Sequence, residues 1–93
     1  MPPEPTARIV TVKGRVQGVS YRAWARRHAE AHGLVGWVRN EPDGSVSALV
    51  EGPPDAVEAM MDAMRSGPPA ARVDRLTALP GAVTEATGFE ITG

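Results

Sequence analysis

The order of hydrophobic periodicities constrains this chain more than any other property. Two stretches of helical period are each set between stretches that alternate, and there is no further helical stretch to cover a second sheet face. Residues 8–13 (R-I-V-T-V-K) are rich in β-branched side chains and place Val10 and Val12 on one face, which predicts a strand. A turn bracketed by Gly14 and Gly18 follows. From Ser20 the chain has helical character up to Gly33, with Ser20 as the expected N-cap and Gly33 as the stop. Ala25 and Ala29, extended by Tyr21 and His32, give this helix a stripe that lets it lie close on a sheet. Residues 34–40 and 45–51 are two more strands. Glu41-Pro42-Asp43-Gly44 joins them as a hairpin, with Pro and Gly where a tight turn takes them.

Gly52-Pro53-Pro54 then ends the strand and opens a second helix. In it Val57, Met60, Met61 and Met64 fall at i, i+3, i+4 and i+7, an amphipathic stripe that belongs to the core rather than to a binding groove. Gly67-Pro68-Pro69 ends that helix. Residues 73–79 form a fourth strand and 89–91 a short closing one, whereas 80–88 show no clear pattern. The order β-α-β-β-α-β plus a terminal strand gives an α+β, ferredoxin-like split βαβ fold, an antiparallel sheet with both helices on one face. Residues 1–6 are expected to be a flexible N-terminal tail and 7–93 one domain. A length of 93 residues, 42% of them apolar, suits one core and not two.

Composition removes several kinds of chemistry. With no cysteine there is no disulfide, no thiol nucleophile and no Cys-based zinc site, which fits a reducing, cytoplasmic setting. The N-terminal residues lack the basic flank and apolar run of a signal peptide. No apolar run is long enough to span a membrane.

The net charge of −1 conceals an asymmetry. No Asp or Glu lies between Pro5 and Ala29, yet that window holds Arg8, Lys13, Arg15, Arg22, Arg26 and Arg27, six of the ten cations. A cationic region on a weakly acidic chain points to a local anion site. Arg26 and Arg27 also suit an ordinary solvated helix face. The glycine-bracketed turn can converge its backbone amides on one point, and the helix that follows adds unpaired N–H groups and a partial positive charge. Arg22 stands in the first turn of that helix, where the macrodipole disfavours a cation. A bound anion would compensate, and the guanidinium fork matches two phosphate oxygens. The ordinary alternative is a salt bridge, for which no nearby acid exists in sequence. Asn40, at the end of the second strand, is a turn-edge asparagine. Such residues are usually structural, but the expected sheet brings this one toward the cradle, where its amide can hold a water by donor and acceptor together.

Val12-Lys13-Gly14-Arg15-Val16-Gln17-Gly18-Val19-Ser20-Tyr21-Arg22 resembles the first signature of the acylphosphatase family. Gly36-Trp37-Val38-Arg39-Asn40, three residues, Gly44-Ser45-Val46, five more and Gly52 resemble the second, at the family's relative positions. The resemblance implies hydrolysis of a carboxyl–phosphate anhydride. Arg22 and the amides of Arg15, Val16, Gln17, Gly18 and Val19 would bind the phosphoryl group, and Asn40 would orient the attacking water. It implies a small acyl phosphate as substrate, phosphate or a similar anion in the loop, no cofactor and no metal. Two positions depart from expectation. Tyr21 stands where the pattern favours Phe, and Glu41 places a negative charge beside Asn40.

Rival readings are weaker. His28 and His32 have the i, i+4 spacing of a metal pair, but no third ligand is evident. An RNA-binding sheet would suit the basic window, yet such sheets need exposed aromatics. Only Trp37 and Phe89 fall on predicted strands, and neither sits in a basic-aromatic cluster. A regulatory domain that has lost turnover is a third possibility, against which Arg22 and Asn40 both argue. No nucleic-acid or membrane partner is therefore expected, and no interface pattern stands out, so a monomer is expected.

Overall fold

The computed structural model describes residues 4–93. Its elements are β1 (Thr6–Arg15), α1 (Tyr21–Ala31), β2 (Val35–Asn40), β3 (Val46–Gly52), α2 (Pro54–Met64), β4 (Arg72–Pro80) and β5 (Phe89–Ile91). Of the expected tail, residues 1–3 lie outside the described residues, and Thr6 is already part of β1, paired with Gly52.

The strands form one sheet in the order β4-β1-β3-β2-β5. The first four pair antiparallel, as the split βαβ arrangement requires, but β5 runs parallel to β2, so the sheet is mixed. The reason lies in the segment between β4 and β5. It leaves one edge of the sheet and enters at the other, so its strand takes the direction of β2 rather than turning back beside β4. Backbone contacts guide this crossing: Gly81 N–H donates to the Ala7 carbonyl at 3.0 Å, and Gly36 N–H donates to the Gly88 carbonyl at 3.0 Å. Midway, the buried Glu51 carboxylate accepts from the Thr84 N–H at 2.6 Å.

Both helices cover the same sheet face. Val10 and Val12 of β1, Val38 of β2, and Val46, Ala48 and Val50 of β3 are fully buried there by the strand alternation. From above, α1 contributes Tyr21, Ala25 and Ala29, and α2 contributes Val57, Met60, Met61 and Met64. The methionine stripe is therefore core. His32 does not extend the α1 stripe. It is the exposed C-cap residue, and Leu34 beyond it turns inward instead.

Tyr21 joins the two helices. Its hydroxyl donates to the Met64 carbonyl at 2.7 Å, satisfying one of the carbonyls that the end of α2 leaves open. Burial pushes this phenol well above its ordinary pKa, so it stays a neutral donor. The hydroxyl that separates Tyr21 from the expected Phe thus has a structural use. Tyr21→Phe is expected to destabilise the fold by about 1–2 kcal/mol, because a buried carbonyl loses its partner. Urea unfolding of the two proteins measures this, with hydrolytic activity per folded molecule little changed.

Candidate active site

The site begins where β1 ends. The β1–β4 register shifts between Lys13 and Gly14, a bulge past which Gly14 and Arg15 still pair with Val73 and Arg72 before the chain leaves the sheet. Gly14 adopts φ +133°, and a Cβ there would stand 2.2 Å from the Arg72 carbonyl oxygen, so only glycine fits. Gly18 has φ +73° with open space around it; what it supplies is the left-handed turn itself. Between them, the N–H groups of Val16, Gln17 and Gly18, and that of Val19 beyond, donate to no backbone carbonyl in the loop and turn hydrogen bonds among the described residues.

Ser20 then departs from expectation. It occupies the N-cap position in the left-handed region (φ 64°, ψ 23°) and its side chain caps nothing. In that conformation the backbone, rather than the hydroxyl, is presented at the helix end. The first helical hydrogen bond runs from Trp24 N–H to the Ser20 carbonyl at 3.0 Å, leaving the N–H groups of Tyr21, Arg22 and Ala23 without helical partners. No acidic residue lies in the first turn. The contrast with α2 is informative, since that helix starts on Pro54 and carries Asp55 in its first turn. One helix start carries an acid in its first turn; the other carries none.

A cleft of about 390 Å³ opens onto this bare helix end, lined by Val16, Gly18, Ser20, Tyr21, Arg22, Ala23, Asn40 and Ile91. It brings together four of the residues singled out in the sequence: Val16, Gly18, Arg22 and Asn40. Arg15, still in β1 and paired with Arg72, and Gln17 and Val19 of the loop do not line the cleft. Ser20, Tyr21, Ala23 and Ile91 were not foreseen as lining residues. Ile91 had no local signal, because it reaches the cleft only through the parallel pairing that sets it beside Val38.

Arg22 forms no salt bridge among the described residues. Its Nη1 donates instead to the Gly93 backbone oxygen, which also receives the Asn40 N–H at 3.2 Å. One backbone oxygen thus ties the guanidinium on α1 to the end of β2. The Asn40 Oδ1 is buried and has no hydrogen-bond partner among the described residues. A buried, unpartnered amide oxygen costs roughly 1–3 kcal/mol.

Glu41 does not place its charge in the cleft. Its carboxylate accepts from the Ser47 hydroxyl and, at 2.8 Å, from Arg39 Nε. The Ser47 hydrogen bond and then the Arg39 contact hold its pKa below the usual range. Arg39 and Ser47 are cross-strand partners facing away from the helices, so Glu41 is neutralised on the opposite face of the sheet from Asn40. Arg26 makes an exposed i, i+4 pair with Glu30, the ordinary helix-face role. His28 packs at a tilt against Trp24 with ring centroids 4.3 Å apart, and His32 Nδ1 lies 2.8 Å from the His28 carbonyl. Among the described residues no three metal-ligating side chains converge. Of the strand aromatics, Phe89 is buried, and Arg39 covers one face of Trp37 with its guanidinium carbon 4.5 Å from the ring centroid. No helix is long and apolar enough to cross a membrane among the described residues.

The family model for Acylphosphatase matches residues 8–91, a span that includes both the glycine-bracketed loop and the hairpin bearing Asn40. The chain belongs to the acylphosphatase family. An acylphosphatase of Rhodospirillum rubrum is 53% identical over 81 residues, covering 87% of this chain and 89% of that one. Among solved structures, an acylphosphatase from Coxiella burnetii superimposes with a TM-score of 0.91 at 33% identity, over 95% of this chain and 93% of that one. The acylphosphatase from Bacillus subtilis gives 0.89 at 33% identity, over 97% and 100%. Acylphosphatase membership therefore extends over nearly the whole fold, including β5 and the crossing segment before it, which the local sequence pattern left open.

Proposed function

We propose that this chain hydrolyses the carboxyl–phosphate bond of small acyl phosphates, releasing a carboxylate and inorganic phosphate. The amides of Arg15, Val16, Gln17, Gly18 and Val19, with the bare N-terminus of α1, hold the phosphoryl oxygens. Arg22 binds two of them through its fork and balances the charge that builds on them. Asn40 holds a water by its amide and aims it at phosphorus, opposite the leaving carboxylate. The new bond is water oxygen to phosphorus; the bond that breaks joins phosphorus to the carboxyl oxygen, which leaves with the electron pair. The water's protons pass to phosphate oxygens or to solvent.

The chemistry asks little more of the protein. A carboxylate with a pKa of about 4 departs without being protonated, so no general acid is needed. Phosphoryl transfer is otherwise a matter of position and charge. The observation behind the reading is that Asn40, whose buried Oδ1 lacks a partner among the described residues, lines the same cleft as Arg22 and an uncapped helix end. The enzyme is proposed to act as a cytoplasmic monomer.

Acetyl phosphate tests this directly. Hydrolysis is expected, with inorganic phosphate as a competitive inhibitor, since the site grips the phosphoryl end. No hydrolysis together with salt-sensitive RNA binding would replace this reading with that of a binding module.

A further inference from the structure

Gln17 sits at the middle of the cradle, yet its side chain turns away from the cleft. Its Nε2 donates twice, to the Glu41 carbonyl at 2.8 Å and to the Ser45 carbonyl at 2.9 Å. These are the first and last residues of the turn that follows Asn40. The same two oxygens also close that turn, accepting from Gly44 N–H at 3.1 Å and from Glu41 N–H at 2.8 Å respectively. A primary amide suits this place because one neutral nitrogen offers two N–H groups. A carboxylate offers none, and an ammonium brings a charge.

The consequence concerns Asn40. On one side its N–H is fixed to the Gly93 oxygen, which also holds Arg22. On the other side the next residue, Glu41, is fixed to the cradle through Gln17. The residue that holds the water is thereby tied to both groups that hold the phosphoryl. We infer that the Gln17 side chain is a positioning residue for the hydrolytic step, setting the distance between the phosphoryl cradle and the water on Asn40. The inference rests on the hydrolytic reading above. An error of about 1 Å in such a placement costs on the order of 100-fold in rate while leaving binding of the phosphoryl group largely intact.

The same turn supplies a control. Asp43 accepts from the Ser45 N–H at 2.9 Å and from the Ser45 hydroxyl at 2.6 Å, so it stabilises the turn without touching the cradle loop. Asp43→Ala loosens the turn and leaves the Gln17 tie in place.

The test uses acetyl phosphate hydrolysis, with inorganic phosphate as inhibitor, for Gln17→Met, Gln17→Glu and Asp43→Ala. Gln17→Met keeps the length and loses both donors; Gln17→Glu keeps the shape and provides a second variant should the first fail to fold. Each Gln17 variant is expected to lose about 10- to 100-fold in kcat, with the phosphate inhibition constant within about 3-fold of the parent's. Asp43→Ala is expected to lower Tm and spare kcat. In an Asn40→Ala background, Gln17→Met should lower kcat by less than about 2-fold, because the residue it positions is gone.

Three results in the Gln17 variants would overturn the inference. They are unchanged kcat in both Gln17 variants, a loss of phosphate affinity equal to the loss of kcat, or a full multiplicative loss in the Asn40→Ala background. An equal fall of kcat in Asp43→Ala would assign the effect to turn stability and overturn it likewise. Absence of hydrolysis by the parent, or full activity in Asn40→Ala, would instead count against the hydrolytic reading itself.

Discussion

Asn40→Ala is expected to fold, to bind inorganic phosphate about as tightly as the parent, and to hydrolyse acetyl phosphate roughly 10²–10³-fold more slowly. The expectation follows from where the side chain stands. Asn40 closes β2, and its backbone N–H, not its amide, makes the contact to the Gly93 oxygen, so truncation leaves the strand end fastened. What is lost is the buried Oδ1, which has no other partner to release. Removing it should not harm the fold and could slightly stabilise it, since an unpaired buried polar atom disappears. Phosphate affinity should hold because the cradle and Arg22 are untouched. Steady-state kinetics with phosphate inhibition separates the two effects: kcat falls and the inhibition constant stays.

Arg22→Ala should behave differently, losing phosphate binding and turnover together. The guanidinium stands in the first turn of α1, adding its charge to a helix end that has no acid and no side-chain cap. A charge-assisted, two-pronged contact of this kind contributes to ground-state binding and to the transition state alike. An arginine at a transferring phosphoryl group is worth on the order of 10³ or more in rate. Arg22→Lys should recover little, because a point charge on a flexible stem cannot reproduce the planar fork. Stability should fall only modestly, since the contact that Arg22→Ala removes is one exposed hydrogen bond to the Gly93 oxygen. Isothermal titration with inorganic phosphate, beside the kinetics, checks both parts.

Much of this was legible in the sequence because the features are local. The β-branched alternation of Val10 and Val12, the helical spacing of Val57, Met60, Met61 and Met64, and the Pro-Asp-Gly turn each leave a short-range trace, and each appears where expected. The same holds for the bare helix start, since the lack of acid near Arg22 is visible in one dimension. Features made by distant pairing were not legible. Residues 81–88 cross the sheet on backbone hydrogen bonds and the Glu51 carboxylate, which Ala, Thr and Gly side chains do not advertise. The parallel placement of β5, and with it Ile91 at the cleft, depends on that crossing. Ser20 was misread for a related reason: serine before a helix usually caps it, but the turn through Gly18 brings Ser20 in left-handed, with its hydroxyl out of reach. The Glu41 charge looked adverse only because one residue along the chain says nothing about which face of a strand a carboxylate joins.

The central claim is that the cleft positions water against phosphorus while Arg22 and the cradle hold the phosphoryl group. Hydrolysis of acetyl phosphate in water enriched in ¹⁸O, with the products separated and weighed by mass spectrometry, tests that most directly. The expected result is one labelled oxygen in the phosphate and none in the acetate, at a rate that collapses in Asn40→Ala. Label in the acetate would mean attack at the carbonyl carbon and would contradict the roles given to Asn40, Arg22 and the loop alike.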